Sequence, residues 1–274
     1  MPAASFSSSV TLSLVPEAAG GPFVFWGDLP RNARLAKSLG FDAIEVFAPS
    51  ASFLKNLGLI EILDETGLRL AALGTGAGWV LHKLTLTHSD SSIRIKSRAF
   101  ISELIELAAD YRAPAIIGSM QGRFDGSVSK PQAFEWLRDA LNQLGNQAAA
   151  RGTLLFFEPL NRYETNLVNR IDQGVALLES LETDAVRLLV DLFHANIEEV
   201  STSEAIKKAG RHVGHIHFVD SNRRAAGWGQ MDFKPIIEAL KAIGYQGYLS
   251  AEAQSHGDGE GAAKQTLTAY NTLV

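Results

Sequence analysis

Four apolar runs in the second half of the chain each stop on a residue of metal-ligand type: LLFFE on Glu158, RLLVD on Asp191, VGHIH on His217 and YLSAE on Glu252. Their end residues are 33, 26 and 35 positions apart, about the length of one strand, one helix and the two connections between them. Parallel strands cannot be joined by a tight hairpin and need a crossover of about a dozen residues or more, usually a helix. A repeat of this length therefore sets four strands side by side with their carboxyl ends, and the four ligand-type groups, on one edge.

The same alternation fills the first half. VTLSLV from Val10 reads as a first strand, the stretch from Leu29 to Leu39 closed by Gly40 as its helix, FDAIEVF from Phe41 as a second strand, LRLAALG from Leu68 as a third and APAIIGS from Ala113 as a fourth. The helix after the fourth strand is the best punctuated: Ser129 as cap with Gln132 three residues on, Pro131 in the first turn, then Phe134, Leu137, Leu141, Leu144 and Ala148 on one face and Gly152 as terminator. Further helices are expected from about Ser91, and over 170–181, 203–209, 233–243 and 261–273. Nearly all-apolar strands separated by helices indicate a parallel sheet covered on both faces. Eight units of about 34 residues fill the 274-residue chain, which predicts an α/β protein, a single (β/α)8 TIM-barrel domain over 1–274 with residues 1–8 as a flexible N-terminus. An open doubly wound sheet is the structural alternative.

Composition limits what such a barrel does. The chain is 46% hydrophobic, carries a net charge of −5 with both signs interspersed, and contains no Cys. No basic surface is available to neutralise a run of phosphates, so nucleic acid is not an expected partner. No run approaches the about 20 apolar residues of a membrane span, and the N-terminal MPAASFSSSV lacks a basic start and an apolar stretch, so neither a membrane partner nor a leader is expected. The absence of thiols suits a cytoplasmic location.

Functional groups of a parallel barrel lie at the carboxyl ends of its strands. Side chains alternate along a strand, so His215 and His217 point the same way with His215 deeper, which makes His217 the ligand candidate. A single carboxylate at a strand end is usually a helix cap. Four ligand types at four successive strand ends read as a metal site. Three carboxylates and one imidazole form an oxygen-rich set that suits Mn²⁺ first, Mg²⁺ or Co²⁺ next and Zn²⁺ less.

The residues around these ends are more specific. EPLNRYET from Glu158, VDLFHANIEE from Val190, HIHFVDSNRR from His215 and SAE from Ser250 resemble the sugar isomerase/epimerase family with a xylose isomerase-like barrel, and most of all its ketose 3-epimerases of the tagatose/psicose type. The resemblance covers roughly 154–253; the first half agrees in layout more than in motif. It implies Glu158, Asp191, His217 and Glu252 as metal ligands, Glu158 and Glu252 also as the acid/base pair, and Glu164, His194 and Arg223 around the carbonyl end of a keto sugar. It further implies a homodimer or homotetramer. Proton removal beside a ketone creates an enediolate whose charge a divalent cation stabilises, and a second base on the opposite face returns a proton with inversion.

Other features carry less. GTGAGW from Gly74 has glycines but not the spacing of a phosphate loop; it is expected to be a tight loop that lets a sugar approach, with Trp79 covering an apolar face of it. Glu45 is a candidate supporting group, Trp26 and Trp228 are loop aromatics, and Gln121 or Arg123 of GSMQGR could contribute to substrate choice. The expected function is C3 epimerisation of a free ketose. The alternatives are an aldose–ketose, hydroxypyruvate or inosose isomerase of the same superfamily, an endonuclease IV-like metallohydrolase, which seven His and the acidic balance disfavour, and a noncatalytic sugar-binding barrel.

Overall fold

The computed structural model describes residues 6–274. Its strands are β1 (Ser7–Ser13), β2 (Phe25–Trp26), β3 (Ala43–Phe47), β4 (Arg69–Gly74), β5 (Ala115–Ile117), β6 (Leu155–Phe157), β7 (Val186–Asp191), β8 (Val213–His217) and β9 (Tyr248–Ala251). They are hydrogen-bonded in the order β2-β1-β3-β4-β5-β6-β7-β8-β9, and β1 also pairs with β9. The ring is thereby closed: eight parallel strands form a (β/α)8 barrel, and the two-residue β2 is an addition on the outer side of β1.

The barrel has two apolar layers because its strands bury both faces. Between sheet and helices lies the main core, with Leu12, Ile44, Ile117, Phe157, Leu188 and Ile216 turned toward helical residues such as Leu137, Leu141 and Leu144. A separate small cluster of Ala72, Ile116, Phe156 and Leu189 fills the inside. Phe156 and Leu189 precede Glu158 and Asp191 by two residues, so each apolar plug and the carboxylate above it share one face of the strand. These side chains form the floor beneath the ligand candidates.

The expected helix 29–39 is observed as Leu29–Leu39, ended by Gly40 at φ 106°, and the expected one after Ser129 as Lys130–Ala150, with the Ser129 hydroxyl accepting from Gln132 N at 3.3 Å. Two expectations are corrected. The first strand starts at Ser7, not Val10, so Ser7 and Ser8 are not part of a frayed end: Ser8 N and Oγ donate to Asp42 Oδ2 at 2.8 and 3.0 Å, and Ser7 is in register with Tyr248. The partner of Ser8 lies 34 residues along the chain, which a polar SFSSS run does not reveal by itself. Residues 1–5 of the expected flexible stretch lie outside the described residues. GTGAGW is not a loop throughout: it runs into the helix Ala77–His82, and Gly78 is required because a Cβ there would stand 2.6 Å from Met120 Sδ. Helices Ala51–Asn56, Leu59–Thr66 and Leu192–Glu198 were likewise too short to show a 3.6-residue apolar period.

Phe156 is stacked on His215 at 5.3 Å with 21° between ring planes as well as packed in the inner cluster. Phe156→Ala is expected to cost about 3–5 kcal/mol, read as a lowered urea midpoint at unchanged slope.

Candidate metal centre

The four strand-end groups converge. One donor atom each of Glu158, Asp191, His217 and Glu252 lies within 4.8 Å of the others. Around His217 Nδ1 stand Asp191 Oδ2 at 3.3 Å, Glu252 Oε2 at 3.4 Å and Glu158 Oε1 at 3.6 Å. The protein builds this against a steep desolvation cost, since Glu158, Asp191 and His217 are buried. Burial, assisted by the neighbouring Glu252 charge, pushes the Glu158 carboxyl above its ordinary range. Burial also acts on Asp191, but His194, His217 and Arg223 outweigh it and hold that carboxyl well below. Burial opposes a charge on His217 and is overcome by Glu252, Glu45, Asp191 and Glu158, which raise its imidazole well above the usual value. Three anionic oxygens drawn to one imidazole nitrogen in a water-poor place is a donor set completed by a cation, and the residues present fit one.

Local sequence explains how each group is placed. Asp191 ends β7 and caps the helix Leu192–Glu198: Oδ1 accepts from His194 N at 3.0 Å, and Oδ2 remains for His217. Capping and convergence are thus served by the two oxygens of one side chain. Glu158 reaches inward because residue 118 is glycine; a Cβ at Gly118 would stand 2.4 Å from Glu158 Oε2. Gln121, a candidate for substrate choice, is instead fully buried and donates its amide to Glu158 O at 2.9 Å, bracing β6 from β5.

Glu45 turns out to be the group that orients the histidines. It lies inward on β3 and accepts from His217 Nε2 at 3.1 Å and from His215 Nε2 at 2.8 Å. When the ring gives up a proton to take a cation, a carboxylate on Nε2 keeps the remaining proton there and leaves Nδ1 of His217 as the lone-pair nitrogen facing the three other donors. The signal in the sequence was a charged residue inside the apolar run AIEVF; its direction depended on register.

The remaining candidates form the wall. His194 is buried rather than a surface residue, and its Nδ1 meets Asn161 Nδ2 at 2.7 Å. Asn161 Nδ2 donates there, and His194 Nε2 lies 3.8 Å from Glu158 Oε1 and 3.5 Å from Arg223 Nη2. Glu164 pairs with Arg223 (2.9 Å) and not with Arg162, which is taken by Glu198. Arg223 also lies over Phe193 at 4.8 Å and reaches within 3.7 Å of Glu252 Oε2. Its Nε is buried with no partner among the described residues. Trp79 is 41% exposed on the opposite side of a cavity of about 330 Å³ that Glu158, His194, His217, Arg223 and Glu252 also line. Pro22 and Phe23, unremarkable in the sequence, close it from the β1 side. Trp26 and Trp228 do not line it.

Comparison with known proteins identifies the family of this barrel. The family model described as "Xylose isomerase-like TIM barrel" matches residues 33–273, and the chain belongs to that family. Among characterised relatives, the L-ribulose 3-epimerase of Mesorhizobium japonicum is 30% identical over 83% of this chain and 76% of its own length. The D-psicose 3-epimerase of Agrobacterium fabrum is 32% identical over 81% and 78%. The crystal structure of D-psicose 3-epimerase with D-tagatose from Clostridium cellulolyticum superposes with a TM-score of 0.81 at 23% identity, covering 98% of this chain and 99% of that one, and shows the shared fold.

Glu45→Gln keeps the side-chain volume but not the carboxylate. It is expected to weaken Mn²⁺ binding by about 10–100-fold in titration calorimetry while leaving the far-UV spectrum unchanged; unaltered affinity would remove Glu45 from the site's construction. Gly118→Ala is expected to displace Glu158 and weaken the same binding, with a smaller effect on thermal stability.

Proposed function

We propose that the chain is a divalent-metal-dependent ketose 3-epimerase in which Glu158 and Glu252 are the acid and base. The carrying observation is that these two carboxylates, from β6 and from the end of β9, approach His217 Nδ1 at 3.6 and 3.4 Å and face one cavity. Glu158, Asp191, His217 and Glu252 would hold the ion, with Mn²⁺ as the resident metal, Mg²⁺ or Co²⁺ as substitutes and Zn²⁺ as second choice. When bound, it supplies Lewis-acid stabilisation of the charge that develops on the substrate's carbonyl and adjacent hydroxyl oxygens. One glutamate takes the proton from C3, the electron pair moves into the enediolate, and the other glutamate delivers a proton to C3 from the opposite face, inverting the centre. The product leaves with the two glutamates in exchanged protonation states, and a proton passed between them through solvent resets the pair.

The wall residues have roles in this scheme. Arg223, already inside the charge network of Glu164 and Glu252, offers a planar fork to the substrate's oxygens. His194, held by Asn161, presents Nε2 toward Glu158 and the cavity. Glu164 fixes Arg223 and accepts from a hydroxyl, and Trp79 covers an apolar face of the sugar. The reading includes a homodimer or homotetramer, as relatives of this type imply, and a cytoplasmic location, in keeping with a chain that has no Cys.

Incubation of the Mn²⁺-loaded protein with ketohexoses and ketopentoses in D₂O is expected to place deuterium at C3 with appearance of the C3 epimer. Deuterium at C1 or C2 alone would replace the proposal with an aldose–ketose isomerisation, and no incorporation with any sugar would remove it. Glu252→Gln is expected to lower the exchange rate by about 10²–10⁴-fold at a near-normal melting temperature. Chelation is expected to abolish exchange, and restoring Mn²⁺ at about a hundred times its Kd should raise stability by about 2.7 kcal/mol, followed by thermal melting.

A further inference from the structure

A second cavity of about 580 Å³ lies beside the first and shares Trp79, Ser119, Leu160 and Glu164 with it as a common wall. The first cavity, about 330 Å³, is at the small end of ligand sites, which span about 300–1,000 Å³, and suits a single sugar. A larger compartment against the same wall has no use for a monosaccharide.

The lining of this compartment defines what it would take. Its two cations, Lys83 and Arg123, face Asp125, while Glu164 in the shared wall is already paired with Arg223. A phosphate or sulfate is normally met by uncommitted positive charge; here Arg123 is bonded to Glu164 O and Lys83 to Val80 O with its ammonium over the Trp79 ring, which points to a neutral ligand. Five hydroxyl-bearing residues, Thr85, Thr87, Ser89, Ser119 and Ser127, line it beside the apolar Val128 and Leu160. Asp125 Oδ1 takes both bonds from Ser127 (N at 2.8 Å, Oγ at 2.6 Å), and Oδ2 accepts none among the described residues. His88 accepts from Asp90 N through Nδ1 at 3.0 Å, so its proton is on Nε2 and available as a donor. Trp79 adds an aromatic face at the junction, with Lys83 Nζ 4.9 Å from its ring centroid. An indole face beside planar donors and acceptors and hydroxyls is the chemistry that binds a polyhydroxylated ring, apolar on its C–H face and polar at its rim. The GSMQGR segment builds this division: Gln121 turns inward to Glu158 O, while Arg123 faces the second cavity and ties it to Glu164 O at 3.1 Å.

We propose that the second cavity is a subsite for a second, neutral sugar ring, and that the preferred substrate is a glycosylated keto sugar rather than a free monosaccharide. This rests on the epimerase reading and names its substrate class. The test compares C3 deuterium incorporation from D₂O for D-fructose with that for trehalulose, lactulose and isomaltulose, which carry the second ring on the ketose O1, O4 and O6. At least one disaccharide is expected to exceed fructose in kcat/KM by about tenfold or more, a contact-scale discrimination. Asp125→Ala and Lys83→Asn, the latter chosen because Lys83 has φ 55° and Asn tolerates that region, are expected to lower kcat/KM for that disaccharide by about tenfold and leave fructose unchanged. The proposal is overturned if every disaccharide reacts no better than fructose, as it would if a second copy of the chain covered the cavity, or if the two variants slow both substrates equally. Exchange with no sugar of either kind would strike down the epimerase reading itself and this inference with it, whereas brisk exchange confined to fructose strikes down this inference alone.

Discussion

Three carboxylates meet one imidazole nitrogen at the end of a sealed barrel, and the rest of the site is arranged to make that burial tolerable. Removing ionised groups from water costs several kcal/mol each unless other charges and hydrogen bonds take water's place. Here the replacement is built from all sides. The His217 imidazole sits among Glu158, Asp191 and Glu252, Glu45 holds that ring from behind, Arg223 brings a guanidinium to the rim, and Asp191 spends its other oxygen on a helix N-terminus. A divalent ion would replace mutual repulsion among the oxygens with shared attraction, which is why stability and metal binding are expected to move together in this protein.

The barrel converts that local problem into geometry. Parallel strands at regular spacing put residues of successive strands at similar depth, and the two-residue period sets an apolar or histidine layer under the candidate ligands: Phe156 under Glu158, Leu189 under Asp191, His215 under His217. The lower layer keeps water out from below and fixes the height at which the carboxylates stand. His215 belongs to both systems, stacked on Phe156 and bonded to Glu45, and its Nδ1 is a buried nitrogen without a partner among the described residues.

The two halves of the chain divide the work. Strands β6 to β9 and their ends carry the groups that converge, whereas the segments after β1, β4 and β5 supply Pro22, Phe23, Trp79 and Ser119 to the cavity walls. Ligand placement is constrained by bond-scale geometry; wall shape is constrained only by the molecule to be admitted. That is a physical reason for finding recognisable motifs in the second half and an individual arrangement, including the neighbouring compartment, in the first.

The periodic features were legible along the chain: apolar strands at βα spacing, the capped helix after Ser129, and four ligand-type residues at strand ends, because local propensity and hydrophobic alternation are properties of neighbours in sequence. Short helices such as Ala77–His82 and the strand start at Ser7 were not, since they depend on Met120 and Asp42 far along the chain. Sequence alone determined which groups are available to the chemistry and the repeat that could gather them. Closure of the ring through β1 and β9 decided the rest: that Glu45, more than a hundred residues from His217, turns inward to hold its Nε2, that Glu164 chooses Arg223 over Arg162, and that Gln121 braces the Glu158 backbone instead of facing the cavity. Each of these is a contact between segments far apart in sequence, set by register and the balance of buried charge, and neither quantity exists until the strands have closed.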